Sequence, residues 1–153
     1  KRRKRLRMII VDVEVVDDKY KIDPDAVKSL AQNILSHGGQ SDGQLTVIFT
    51  HDELLRELKN HYFKQDVYTD VIAFRLDEND ELFEGEVYIS PKRAGENSTK
   101  FNEPLERELA RLVCHGCLHL LGRKDKTEKQ KTSMKKEEDR LLKKFSSKQI
   151  LIQ

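Results

Sequence analysis

Residues Pro104–Asp125 read PLERELARLVCHGCLHLLGRKD, and this stretch decides both how the chain folds and what it can bind. At about 100° per residue, Ala110, Val113, Cys114, Cys117, Leu120 and Leu121 gather on one side of a helix, while Glu108 and Arg111 flank the side that carries His115. Gly122 stops that helix, because a residue in the left-handed conformation can end it and swing the chain back. His115 and His119 stand at i and i+4, about 40° apart around the axis, so their imidazoles converge on one point. Asp125 follows the glycine by three residues and can return a carboxylate to the same place, giving H-x3-H-x5-D. Two imidazoles and one carboxylate leave a coordination position open. That is the arrangement of a catalytic zinc site, not a closed structural one.

The neighbouring residues sharpen this reading. Cys114 and Cys117 offer a competing zinc-knuckle or redox pair, but on a helix both thiols project to the apolar side, away from the histidines. No second cysteine pair exists to complete four ligands, so both are expected as small core residues. The position after the first histidine is Gly116. A zinc peptidase of the H-E-x-x-H type needs a glutamate there as general base, so peptide hydrolysis by that route is disfavoured. His37, His51 and His61 lie near polar loops or helix ends and are expected in surface or capping roles.

Working outward, Ile9–Val16 alternates as a strand. Asp23-Pro24 opens a helix bearing Ala26, Val27, Leu30, Ala31 and Ile34, which runs to His37-Gly38-Gly39. Leu45–Phe49 reads as a strand, and Thr50 or Asp52 is expected to cap a helix with Leu54, Leu55 and Leu58. Thr69–Phe74 and Gly85–Ser90 read as two more strands, and Thr127 is expected to cap a last helix reaching about Lys144. Strands interleaved with helices indicate an α/β or α+β domain with one small sheet.

The chain has 153 residues, enough for one core and too few for two ordinary domains. Residues 1–7, KRRKRLR, hold six bases and no acid, and without them the formal charge falls from +2 to −4. This arm is a functional basic tail, an extension or a cloning remnant, and residues 8–153 are expected as the single functional domain. Asp77–Glu86 carries six acids and no base, whereas Arg123–Lys148 carries eleven bases against five acids. No apolar run approaches the roughly 20 residues of a membrane span, and no signal-peptide core follows the basic leader. Two cysteines three apart suit a reducing compartment. The expectation is a cytoplasmic protein without a membrane partner.

HGCLHLLGRKD at 115–125 resembles the signature of the YbeY endoribonucleases, H-G-x-L-H-L-x-G-Y-D-H, with His115, Gly116, Leu118, His119, Leu120 and Gly122 matching. Asp125 stands at the third-histidine position and keeps a metal-binding group. Tyr68–Phe74 resembles the family's P-T-D-V-L-S-F strand, and Gly85–Ser90 its G-D-I-x-I-S strand. The three motifs cover the chain from about Leu45 to Lys144. The resemblance implies an α+β domain with a small mixed sheet packed with helices. It also implies metal-dependent cleavage of single-stranded RNA, in ribosomal RNA maturation and ribosome quality control, with ribosomal RNA and the ribosome or its small subunit as partners.

Two departures from the family pattern bear on mechanism: Phe63 stands where it has an arginine, and Arg123-Lys124 where it has the Tyr-Asp pair before the third ligand. Leu58–Phe63 resembles the family's L-N-x-x-Y-R run, but Phe63 replaces the arginine expected to face the RNA phosphate. A guanidinium near the metal would neutralise charge on a transferring phosphoryl group. Lys64, Arg75, Arg123 or Lys124 are the bases available to replace it, with Arg123 and Lys124 favoured because they lie in the ligand loop. The expected site is one Zn²⁺ on His115, His119 and Asp125, with Asp70 either hydrogen-bonding a ligand or loop from behind or serving as a strand-edge aspartate that satisfies local backbone groups. Tyr62, Phe63 and Tyr68 are either core residues or platforms for unpaired bases. Residues 123–148 offer either phosphate contacts or an ordinary solvated helix face. Phe63 at the arginine position also suggests a non-enzymatic ribosome-associated RNA-binding module, and a metallopeptidase stands third because of Gly116.

Overall fold

Alternation along the strands decides which face of the sheet is covered. In the computed structural model, which describes residues 8–78 and 82–152, β1 (Ile9–Val15) buries Ile9 and Val11 and exposes Ile10 and Asp12. β2 (Gly43–Phe49) buries Leu45, Val47 and Phe49, and β4 (Phe83–Ile89) buries Phe83, Gly85, Val87 and Ile89. The arm at residues 1–7 and the centre of the acidic stretch, 79–81, lie outside the described residues. The sheet order is β1-β2-β4-β3, with β1, β2 and β4 parallel and β3 (Val71–Arg75) antiparallel along β4. A parallel neighbour requires a crossover. α1 (Pro24–His37) supplies it between β1 and β2, with Asp23 capping the Asp25 N–H and Pro24 in the first turn.

α1 and α4 (Leu105–Leu120) lie side by side against the sheet, and α5 (Glu128–Phe145) packs on both. One apolar core runs between these layers, built on Leu30, Ile34, Val47, Phe49, Val87, Leu112 and Leu141 among others. This is an α+β domain with a mixed sheet, and its histidine pair sits on α4 in the C-terminal half.

Several boundaries differ from the sequence reading for local reasons. α2 (Asp52–Phe63) begins after His51, which makes no side-chain cap. Thr50 is buried, and the buried Asp52 carboxylate instead takes the Arg93 guanidinium at 3.0 Å. β3 starts at Val71, two residues later than expected. α3 (Pro91–Lys100) is an additional helix, started by Ser90, whose hydroxyl accepts from the Arg93 N–H, and by Pro91. Its residues are too polar to show apolar periodicity, so the Ser-Pro start was the available signal. α5 opens with a capping box between Thr127 and Gln130.

Gly116 fixes how α4 meets the sheet. A Cβ there would come within 2.6 Å of Val87 Cγ1. Valine is stiff at χ1 and buried on β4, so it cannot give way cheaply. Gly116→Ala gains about 1 kcal/mol of helix propensity but incurs overpacking of about 1–3 kcal/mol. The expected outcome in chemical denaturation is a net loss of stability of up to about 2 kcal/mol. A stabilised variant would show that α4 does not press on β4 as described.

Candidate metal centre

With Gly116 turned to the sheet, His115 and His119 project from α4 toward α5 and the following loop. Their Nε2 atoms lie 2.9 Å apart, and Asp125 Oδ2 is 3.3 Å from each. Among the described residues this is the group of three donor atoms within 4.8 Å of one another that can hold a metal ion. The turn that delivers Asp125 is a Schellman motif: Gly122, at φ +95°, donates to the His119 carbonyl, and the Arg123 N–H donates to Leu118.

The outer nitrogens settle which atoms face inward. His115 Nδ1 lies 2.5 Å from Glu138 Oε2, and His119 Nδ1 lies 3.0 Å from the Arg123 carbonyl. A carbonyl can only accept, and an ionised carboxylate likewise, so both Nδ1 atoms are donors and both Nε2 atoms are turned to the same spot. Two Nε2 atoms 2.9 Å apart are accommodated by a proton shared between them or by a metal ion that both ligate. Ligands at about 2.0–2.1 Å in tetrahedral array are separated by roughly 3.3 Å, and the observed edges of 2.9, 3.3 and 3.3 Å fit that size. The donor set, nitrogen and oxygen without thiolate, suits zinc or another first-row divalent ion.

Glu138 is 2% exposed and belongs to α5, 23 residues from His115. Arg111 meets it at 3.4 Å and binds Glu108 through two bonds of 2.7 Å, which hold the Arg111 guanidinium well above its ordinary range. Asn97 joins Glu108 to Asp70, at 3.1 and 2.8 Å. Asp70 therefore joins a polar cluster with Asn97, Glu108 and Arg111, whose guanidinium it meets at 3.9 Å, and the contact to His115 is made by Glu138 on the other side of Arg111. The sequence did carry a signal for Glu138: it falls on the same helical stripe as buried Met134, Leu141 and Leu142, where an unpaired acid would be costly.

The remaining candidates lie elsewhere. Phe63 stacks on Phe74 at 6.0 Å, and Tyr62 leans on the same ring. Tyr68 is held between the Arg56 and Arg93 guanidinium groups, with its hydroxyl on Glu53. Arg75 is engaged by Asp77 and the Leu120 carbonyl, and Lys64 ends α2 in the left-handed conformation. Arg123 reaches the Ser133 hydroxyl, and Lys124 is exposed beside the ligands. Cys114 and Cys117 are fully buried, and desolvation pushes the Cys117 thiol up to about 12, which keeps it a neutral core group. His51 leads into α2 near Asp17, His37 packs edge-on to Phe145, and His61 packs edge-on to Tyr62.

Comparison with known proteins places these features in one family. The family model described as Endoribonuclease YbeY matches residues 12–146. The Endoribonuclease YbeY of Flavobacterium psychrophilum is 37% identical over 134 residues, covering 88% of this chain and 94% of the relative. That of Karelsulcia muelleri is 43% identical over 96 residues, covering 63% of this chain and 67% of the relative. The solution structure of TM1509 from Thermotoga maritima superposes with a TM-score of 0.58 at 30% identity, covering 92% of this chain and 93% of that one.

Replacing the acceptor behind His115 tests the centre without touching a ligand. Glu138→Gln is expected to weaken metal binding about ten- to hundredfold, read by competition with a chromophoric chelator. Unchanged affinity would show that Glu138 does not orient the imidazole.

Proposed function

The chain belongs to the YbeY endoribonuclease family, and from that premise we propose that it is a zinc-dependent endoribonuclease. Its substrate is single-stranded ribosomal RNA, and it acts during maturation and quality control of the ribosome, on or near the small subunit and in the cytoplasm. Among the described residues, no helix is long and apolar enough to cross a membrane. The observation that carries the proposal is the convergence of His115 Nε2, His119 Nε2 and Asp125 Oδ2, with both outer nitrogens already committed.

One Zn²⁺ per chain is held by these three residues within a single hydrolase domain spanning residues 8–153. When bound, it supplies Lewis acidity, lowering the pKa of a water or polarising a phosphoryl oxygen. The chain's own residues do the rest. Glu138 and the Arg123 carbonyl keep both imidazoles in the ligating tautomer, so no reorganisation is needed when the cation arrives. Asp125 adds a negative charge that a third histidine would lack. Arg123 and Lys124, on the ligand loop, offer positive charge to the phosphates flanking the scissile bond. Gly116 argues against the peptidase alternative for a steric reason: a glutamate there would be driven into Val87.

The test is the metal content of protein purified without added metal or chelator, compared with a His115→Ala/His119→Ala variant, followed by a single-stranded RNA cleavage assay on the same samples. Near-stoichiometric zinc and RNA cleavage in the parent, both lost in the variant, are expected. Metal without cleavage would favour the binding module, and no metal in either sample would overturn the proposal.

A further inference from the structure

Next to the ligands lies an open cleft of about 660 Å³ between the end of α3, the polar side of α4 and α5. His115 and Asp125 line it, and so does Phe101. Phe101 is 61% exposed and is the one large apolar side chain so exposed, among the described residues, that borders this cleft. Its position is fixed by the backbone. The Phe101 N–H donates to Asn97, Asn102 takes the left-handed conformation at φ +54°, and the Glu103 N–H returns to the Ser98 carbonyl at 2.8 Å. The ring is thus presented to the cleft from a closed turn, without burial to account for it, with the Lys100 ammonium over it at 5.6 Å and adding positive charge beside it.

Charge around the cleft is unevenly committed. Glu108 and Glu138 face Arg111, Asp139 is bound by Arg107 at 2.9 Å, and Asp125 belongs to the ligand set, while exposed Glu103 also lines the cleft beside Phe101. On the α5 side, Lys131 touches only Glu128 of its own helix, at 3.6 Å, and Lys135 makes no ion pair among the described residues. The other aromatic group joins exposed Tyr62 and Phe63, at the end of α2, to half-buried Phe74 and Tyr88 on the side of the sheet that α2 partly covers. There burial, and then Glu86 and Glu14, push the Tyr88 hydroxyl up, and the two acids would repel a phosphate backbone.

We propose that Phe101 is the stacking platform for an unpaired base of the strand that runs through the cleft from the scissile phosphate, a few nucleotides away, with Lys131 and Lys135 taking phosphates of the same strand, and that this contact selects single strands. The inference rests on the nuclease reading above and assigns the feature that reading lacks, a reason for strand preference in this chain's own residues. A base inside a duplex has both faces covered by its neighbours. Only an unstacked base offers a free face to a phenyl ring, and such stacking is indifferent to sequence.

The chain contains no tryptophan, so Phe101→Trp places a lone fluorophore in the cleft. Titrating the metal-loaded variant with a 2′-O-methyl-uridine octamer is expected to quench its emission saturably, whereas the same octamer annealed to its complement leaves it unchanged. Phe101→Ala is expected to bind the single-stranded octamer about tenfold or more weakly and to cleave single-stranded RNA with raised KM. Its metal content and thermal midpoint should match the parent's, and Phe101→Tyr should restore binding. Equal quenching by the duplex, or parent-like binding and KM in Phe101→Ala while the parent cleaves RNA, would overturn this inference alone. A metal-loaded parent that leaves single-stranded RNA intact would overturn the nuclease reading and this inference with it.

Discussion

The contact between Gly116 and Val87 sets the rotation of α4 about its own axis, and the site depends on that rotation. A helix can press on a sheet this closely only where it lacks a Cβ. Once Gly116 faces β4, the 3.6-residue repeat sends Cys114 and Cys117 into the core and His115 and His119 to the opposite side. Metal geometry here is a consequence of helix packing, and the glycine that excludes a peptidase base is the same one that allows the packing.

The polar stripe beside the histidines is built from groups that would be expensive alone. Glu108 and Glu138 are both buried, and Arg111 lies between them. A buried ion pair is weak evidence for stability, because desolvation offsets most of the Coulombic gain, yet removing one partner costs about 3–5 kcal/mol. The network's clearest product is orientation. Glu138 has a fixed place because Arg111 holds one oxygen, and its other oxygen therefore meets His115 Nδ1. Asp70 and Asn97 extend the same chain to the start of β3, tying the edge strand to the helix that carries the ligands.

Legibility in the sequence followed sequence distance. The Asp23-Pro24 start, the Gly122 stop and the Thr127 cap are local signals, and α1, α4 and α5 occur where those residues put them. The three converging donors fall within eleven residues, so helix periodicity and one turn sufficed to bring them together. Glu138 and Phe101 reach the site by packing of separate elements, across 23 and 14 residues from His115; the α5 stripe marks Glu138 as a buried acid, but nothing in the periodicity says which side chain it meets. Phe63 shows the converse: its place in a local motif suggested the site, while tertiary packing put its ring on Phe74. α3 escaped notice because its partners are polar, with Arg93 on Asp52 and Asn97 on Asp70.

The central claim is that α4 and its following turn form a three-ligand metal centre, and anomalous diffraction at the zinc edge from crystals of protein purified without chelator tests it most directly. The account predicts one strong peak within bonding distance of His115 Nε2, His119 Nε2 and an Asp125 carboxylate oxygen, with Glu138 still on His115 Nδ1. A map without a peak there, or with its zinc on other residues, would contradict it.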